Sequence, residues 1–181
     1  MISELGNKMK NGVLGTLKGV DDIYDALFDT VRDNVKELFS GTADVTTTAT
    51  ASVRDIVVGA VQATADAGEA TSDAVNKIVR GTIRGVADTG GEATSVVKNT
   101  VKGAIAGVSE VGGDVTGTAV KAVRGAIEAT SSVGGDVEKA TEAAVVGAIE
   151  AAEEISSETA ESVRNVLVSS IDGATDVIKK L

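Results

Sequence analysis

Lys102-Gly103-Ala104-Ile105 and Arg124-Gly125-Ala126-Ile127 stand 22 residues apart and differ only in the cation that leads. Variants of the phrase keep the same step on both sides: Val58-Gly59-Ala60-Val61, Arg80-Gly81-Thr82-Ile83 and Val146-Gly147-Ala148-Ile149. The phase reaches back to Gly15 and Glu37, and forward to Ser169 before Ile171, with no insertion that shifts it. Eleven residues fill three turns of an α-helix almost without drift, so a double eleven keeps one helix face in place. The expected fold class is all-α: long amphipathic helices with 22-residue (2 × 11) repeats.

The composition suits that reading. The 181 residues include no Pro, His, Cys or Trp, two Phe and one Tyr. An average chain of this length holds roughly nine prolines, and Pro interrupts a helix because it lacks the N–H and clashes with the preceding turn. The apolar residues are mostly Val, Ala and Ile, which make a thin, closely spaced seam. A net charge of −10 argues against nucleic acid or an anionic membrane as the main partner. Without His or Cys the chain lacks the commonest acid–base group, the commonest metal ligand and any thiolate chemistry. Residues 1–14 carry Lys8 and Lys10 but no apolar signal core, and no run nears the length needed to span a bilayer. Location is therefore open, with the cytoplasm as the default expectation.

Folded onto an eleven-residue wheel, each residue advances roughly 98° and the apolar positions gather on one side. One row holds Val57, Val79, Val101, Val123, Val145 and Leu167; beside it run Val61, Ile83, Ile105, Ile127, Ile149 and Ile171. A third row holds Val53, Val75, Val97 and Val163, and a fourth Val111, Val133, Ile155 and Val177. The arc is about 130° wide, broader than a two-stranded coiled-coil seam. It suits helices that each touch two neighbours, and the first two rows are the expected self-assembly core. Strict period-2 alternation is absent, which excludes strands.

Residues 1–40 keep the phase but use larger side chains, among them Leu14, Leu17, Ile23, Tyr24, Leu27, Phe28, Leu38 and Phe39. They read as an N-terminal cap, with residues 41–181 as the repeat region. The threonine-rich stretch from Thr42 to Ser52 is the weakest helix in the chain. GlyGly recurs at 90–91, 112–113 and 134–135, followed by Glu92, Asp114 and Asp136. Two readings compete. A C-capping Gly before an acidic N-cap would fold the helices into hairpins. Alternatively Gly68, Gly90, Gly112 and Gly134 are points of close helix approach on one continuous helix. The unslipped phase favours the continuous helix, roughly 270 Å long at about 1.5 Å per residue.

Charge is segregated across the helix. Lys36, Arg80, Lys102 and Arg124 form one basic row, and Lys10, Arg32, Arg54, Lys98 and Arg164 another, both along one edge of the apolar arc. Asp66, Asp88, Glu110, Asp114, Asp136 and Glu158 are among the carboxylates that run to the other edge; Lys77, Arg84, Lys121 and Lys139 are exceptions. Parallel copies would set a basic edge against an acidic one, as flanking charges do in coiled coils. The expected partner is therefore the chain itself: a parallel homo-oligomer of three or more chains, straight to right-handed. A staggered contact that does not close would grow into a filament.

Thr100-Val101-Lys102-Gly103-Ala104-Ile105-Ala106-Gly107-Val108-Ser109-Glu110-Val111-Gly112-Gly113 resembles the eleven-residue lipid-surface repeats of synucleins and perilipins. The same features resemble hendecad coiled coils and the eleven-residue repeats of late-embryogenesis proteins. The first resemblance implies a coat on membranes or lipid droplets, with lipid or another apolar ligand as partner. The second implies self-pairing, and the third a desiccation protectant. The one-sided basic border and the lack of bulky lipid-inserting residues depart from the lipid pattern.

No catalytic constellation stands out. Asp21-Asp22 and Glu153-Glu154 are adjacent carboxylates without a pocket, and the Gly-rich phrases lack the Lys of a phosphate loop. The expectation is no enzyme, no metal and no cofactor, but a structural, self-assembling coiled-coil protein that forms a bundle, tube or filament.

Overall fold

The computed structural model describes residues 3–17, 22–40, 47–68 and 72–181, with side chains from residue 52 onward in the third helix. All elements among them are helices: α1 (Glu4–Leu17), α2 (Ile23–Ser40), α3 (Thr47–Asp66), α4 (Ser72–Asp88), α5 (Thr94–Glu110), α6 (Val115–Ser132), α7 (Val137–Ile155), α8 (Ser157–Ser170) and α9 (Ala174–Ile178). Residues 42–46 of the threonine-rich stretch, and Asp21 of the first acidic pair, lie outside the described residues.

The chain is not one continuous helix. At each GlyGly it stops and reverses, and the α5–α6 turn shows how. Gly112 takes φ +72°, a left-handed conformation open to Gly at little cost. The Gly113 N–H then donates to the Val108 carbonyl at 2.9 Å, and the Gly112 N–H to the Ser109 carbonyl at 3.1 Å. That pair of bonds closes the helix end as a Schellman motif. The second Gly is needed because the Val108 Cγ1 methyl would lie 2.7 Å from any Cβ placed there. Asp114 then accepts from the Gly117 N–H at 3.0 Å and starts α6. Asp136 does the same for α7 through the Lys139 N–H at 3.1 Å. In the last repeat Ser156 takes the place of GlyGly. Extended at φ −168°, it separates α7 from α8 alone, and its Oγ accepts from the Thr159 N–H at 3.0 Å.

Successive helices alternate between two layers. α1, α3, α5, α7 and then α9 stack side by side in one layer, and α2, α4, α6 and α8 in the other. From α1–α3 through α5–α7, helices two apart pack most extensively and run parallel, whereas α8 packs more on α7 than on α6. Gly103 of α5 approaches Arg54 and Val57 of α3, while Gly107, one turn on, approaches Val58 and Val61. α2 and α4 repeat the pattern, with Gly81 against Phe28 and Val31, and Gly85 against Arg32 and Val35.

The core between the layers is built mostly of Val, Ile and Ala; the larger Met9, Leu17, Leu27 and Phe39 lie in α1 and α2, and Leu167 in α8. Thr82 and Thr100 are buried within it without penalty, because their hydroxyls donate to the Ile78 and Val96 carbonyls, each at 2.8 Å.

Candidate functional site

The two apolar rows expected to pair between chains are occupied within one chain. Val57, Val61, Val79, Ile83, Val101, Ile105, Val123, Val145, Ile149, Leu167 and Ile171 are all buried. Ile127 alone of the twelve is half-buried. Val53, Val75, Val97 and Val163 of the third row are buried too. The fourth row sits near helix ends: Val111, Val133 and Val177 are half-buried and Ile155 is exposed.

The four glycines expected at close approach serve the turns instead. Gly68, Gly90, Gly112 and Gly134 all have positive φ, and a Cβ on any of them would meet nothing within 4 Å. Close approach belongs to the glycine of the recurring phrase. A Cβ on Gly103 would stand 2.6 Å from the Arg54 carbonyl oxygen, and one on Gly147 2.7 Å from that of Lys98. Gly59 lies directly against the Gly6 backbone. The phrase itself was the signal: Gly59, Gly103 and Gly147 occupy one register in α3, α5 and α7. Gly15 holds that register in α1, and there a Cβ would meet nothing within 4 Å.

The charged flanks meet as parallel neighbours should, but inside the chain. Lys98 pairs with Glu150 at 2.7 Å, and Lys102 with Glu150 at 3.1 Å and Glu154 at 3.0 Å. Arg54 reaches Glu154 at 2.8 Å, Lys10 reaches Asp66 at 2.7 Å, and Gln62 donates to Glu110 at 2.6 Å. In the other layer Lys77 meets Asp25 at 3.0 Å and Lys121 meets Asp73 at 2.9 Å, spanning 52 and 48 residues. Lys77 and Lys121 looked like exceptions in the sequence; their 44-residue separation, two repeats, was the signal that they share a role.

Other expected flank residues act differently. Asp114 and Asp136 are N-caps, Asp88 pairs with Arg84 within α4, and Arg164 pairs with Glu153 across the α7–α8 corner. Arg124 donates to the Ser170 carbonyl at 3.1 Å. Lys36 and Glu158 are exposed. Arg80 shares an open cleft of about 340 Å³ with Phe28, Arg32, Arg84 and Asp88, whose carboxylate is paired with Arg84. Glu153 and Glu154, the described adjacent pair, are both taken up by cations.

The α5–α7 cluster shifts its own titrations. Burial works against the Lys102 charge, yet the hydrogen bonds it donates to Glu154 and Glu150 outweigh it and hold the ammonium above the usual lysine range. Burial likewise opposes the Glu150 charge and is outweighed by Lys98 and Lys102, which lower its pKa. The Lys102 hydrogen bond lowers Glu154 against burial, with help from Arg54.

At the C-terminal end the stack opens. A groove of about 480 Å³ runs between α6, α7 and the end of α8, lined by Ile127, Val137, Thr141 and Ile171 with Arg124, Glu128, Ser170 and Asp172 at its rim. Val137 is 40 % exposed, whereas Ala93, two repeats earlier, is only 6 % exposed. None of the described helices is long and apolar enough to cross a membrane.

Fold and surfaces together define a two-layer helical-repeat stack whose recurring feature is a helix-to-helix contact. Compared with protein-family models and with curated proteins, the chain matches none.

Proposed function

We propose that the protein is a structural, self-assembling repeat scaffold. Copies join so that the parallel eleven- and 22-residue helix register continues from chain to chain, building a tube or filament of three or more chains. The observation that carries this reading is the repetition of one contact. A phrase glycine closes on the helix two before it, and cations meet carboxylates across the same parallel boundary. A contact that recurs along one chain in a single register does not depend on which chain supplies the next helix. Joined head to tail, such a contact does not close on itself and extends.

The two ends also differ in charge. Residues 137–181 hold nine carboxylates against four cations, Lys139, Arg164, Lys179 and Lys180, while α1 holds Lys8 and Lys10 against Glu4. Opposite ends of opposite sign steer copies into line. Sedimentation velocity over a hundredfold concentration range tests the proposal. Mass that climbs with concentration, and falls with added salt, is expected. A species of 18.1 kDa at every concentration would overturn it.

A lipid-surface coat is the second reading, and one observation favours it. Helices α3 to α7 each carry a buried apolar stripe, and α4 to α7 are linked through two-glycine turns. Opening those turns would lay the stripes side by side on an apolar surface. Co-flotation with neutral phospholipid vesicles, with helicity retained, is the expected result; a protein left at the bottom of the gradient removes the reading.

A further inference from the structure

We propose that the cleft between α2, α4 and α6 binds a small phosphate-bearing molecule, its phosphate among Arg32, Arg80 and Arg84 and its apolar body against Phe28 and Ala129. Counting in steps of 22 shows why the cleft is there. Across the α5–α7 boundary Lys98 and Lys102 face Glu150 and Glu154, and all four are paired. One repeat earlier, across α4–α6, the same positions are Asn76 and Arg80 opposite Glu128 and Ser132. Ser132 has no charge to offer, and Glu128 lines the C-terminal groove instead. Across α2–α4 the position of Glu150 is held by Arg84, which lines the cleft together with Arg32. One carboxylate of the repeat has thus become a hydroxyl, and another a third cation.

The guanidiniums are placed but not satisfied. Arg80 is half-buried, and among the described residues no carboxylate forms an ion pair with it. Arg84 pairs with Asp88 at 2.8 Å inside its own helix. Arg32 is held over the Phe28 ring, 5.8 Å from its centre, by Asp33 at 2.9 Å and Asp29 at 3.0 Å. Those two aspartates are exposed and lie outside the cleft lining. Exposed pairs of this kind are weak, so they orient a guanidinium without using up its charge. Among the described residues the lining holds three cations and one carboxylate, in a chain whose net charge is −10. Each guanidinium presents a planar fork that matches two phosphate oxygens, and a phosphate has oxygens for more than one fork. The cleft volume, about 340 Å³, is that of a small-molecule site. At its rim the Ser132 hydroxyl, which donates to the Ala129 carbonyl at 2.8 Å, is exposed and free to turn to a phosphate oxygen.

Calorimetric titration of the full chain with phenyl phosphate and with inorganic phosphate, at constant ionic strength, tests the site. The expected result is saturable binding of one molecule per chain, with phenyl phosphate the tighter of the two. Arg80→Gln should weaken it about tenfold, the loss of one charge-assisted contact. Ser132→Glu, at an exposed position, restores the carboxylate that α7 carries as Glu154, and should abolish binding with circular dichroism unchanged. A wild type that binds neither probe saturably overturns the proposal, and so does saturable binding that both variants leave intact. Equal affinity for the two probes overturns the apolar half of the site.

Discussion

Glycines on the contact faces of the helices and glycines in the turns between them are held in place for opposite reasons. Gly103 sits in ordinary helix with the α3 backbone pressed against it, so what matters is the missing Cβ. Gly112 has open space around it and a φ of +72°, so what matters is the backbone. One set sets how closely helices pack within a layer. The other sets where the chain changes layer. Composition cannot separate the two, since both recur every 22 residues.

Substitutions separate them. Gly103→Leu should be the most damaging. The Arg54 carbonyl at 2.6 Å and the Val57 Cβ at 2.9 Å leave no room, and forcing the helices apart should cost about 3 kcal/mol, read as a lowered urea midpoint. Gly112→Ala should cost about 1–2 kcal/mol from left-handed strain alone, and Gly112→Asn less, since Asn tolerates that region better. Equal losses for Ala and Asn would mean that space, not conformation, governs the turn. Gly15→Ala should do the reverse and stabilise the monomer by about 0.5–1 kcal/mol, because an exposed helical Gly with no neighbour costs helix propensity and contributes no packing.

The smallest effect concerns the ion pairs that accompany the glycine contacts. Lys102→Met should cost about 0.5 kcal/mol near neutral pH, since Glu150 and Glu154 are partly solvated. Its pH dependence carries the information. Glu150 and Glu154 have lowered pKa values, so their share of stability is present above the unfolded value near 4.3 and lost as pH falls through the folded ones. Lys102 is raised, so its share is complete below about 10.4 and lost as pH rises through its folded value. Thermal melts of the wild type and K102M should therefore differ across the middle of the pH range and converge at both ends. A constant difference would assign the effect to packing of the lysine stem.

Much of the fold is legible in the sequence, and the part that is not has a definite cause. The all-helical fold and the burial of three apolar rows follow from side-chain type and spacing, and so do the basic and acidic edges, although the sequence points to their meeting between copies and the structure joins them inside one chain. The reversal at each GlyGly does not follow from them. An unbroken phase looks like an unbroken helix, because a hairpin turn alone would free each helix from its neighbour. It does not free it here. Each helix is locked to the one two repeats away, and a residue inserted in α4 would misplace Gly81 on Phe28 and Lys77 on Asp25. Stacking across space preserves the phase as strictly as continuity along a helix would. The glycines share that ambiguity: Gly68, Gly90, Gly112 and Gly134 have the same spacing on one helix face as at four turns, and only the contacts of Gly59, Gly103 and Gly147 tell the two sets apart.

Alternation between layers gives the chain a parity. Lys121 reaches Asp73 over 48 residues and Lys102 reaches Glu150 over the same distance, each within its own layer. Removing 22 residues would move every later helix to the opposite layer and hand each cation a foreign neighbour. Removing or adding 44 returns every helix to its own side. Length in this architecture is therefore counted in pairs of helices, and a gene that grows or shrinks by internal duplication keeps a working stack only in even steps.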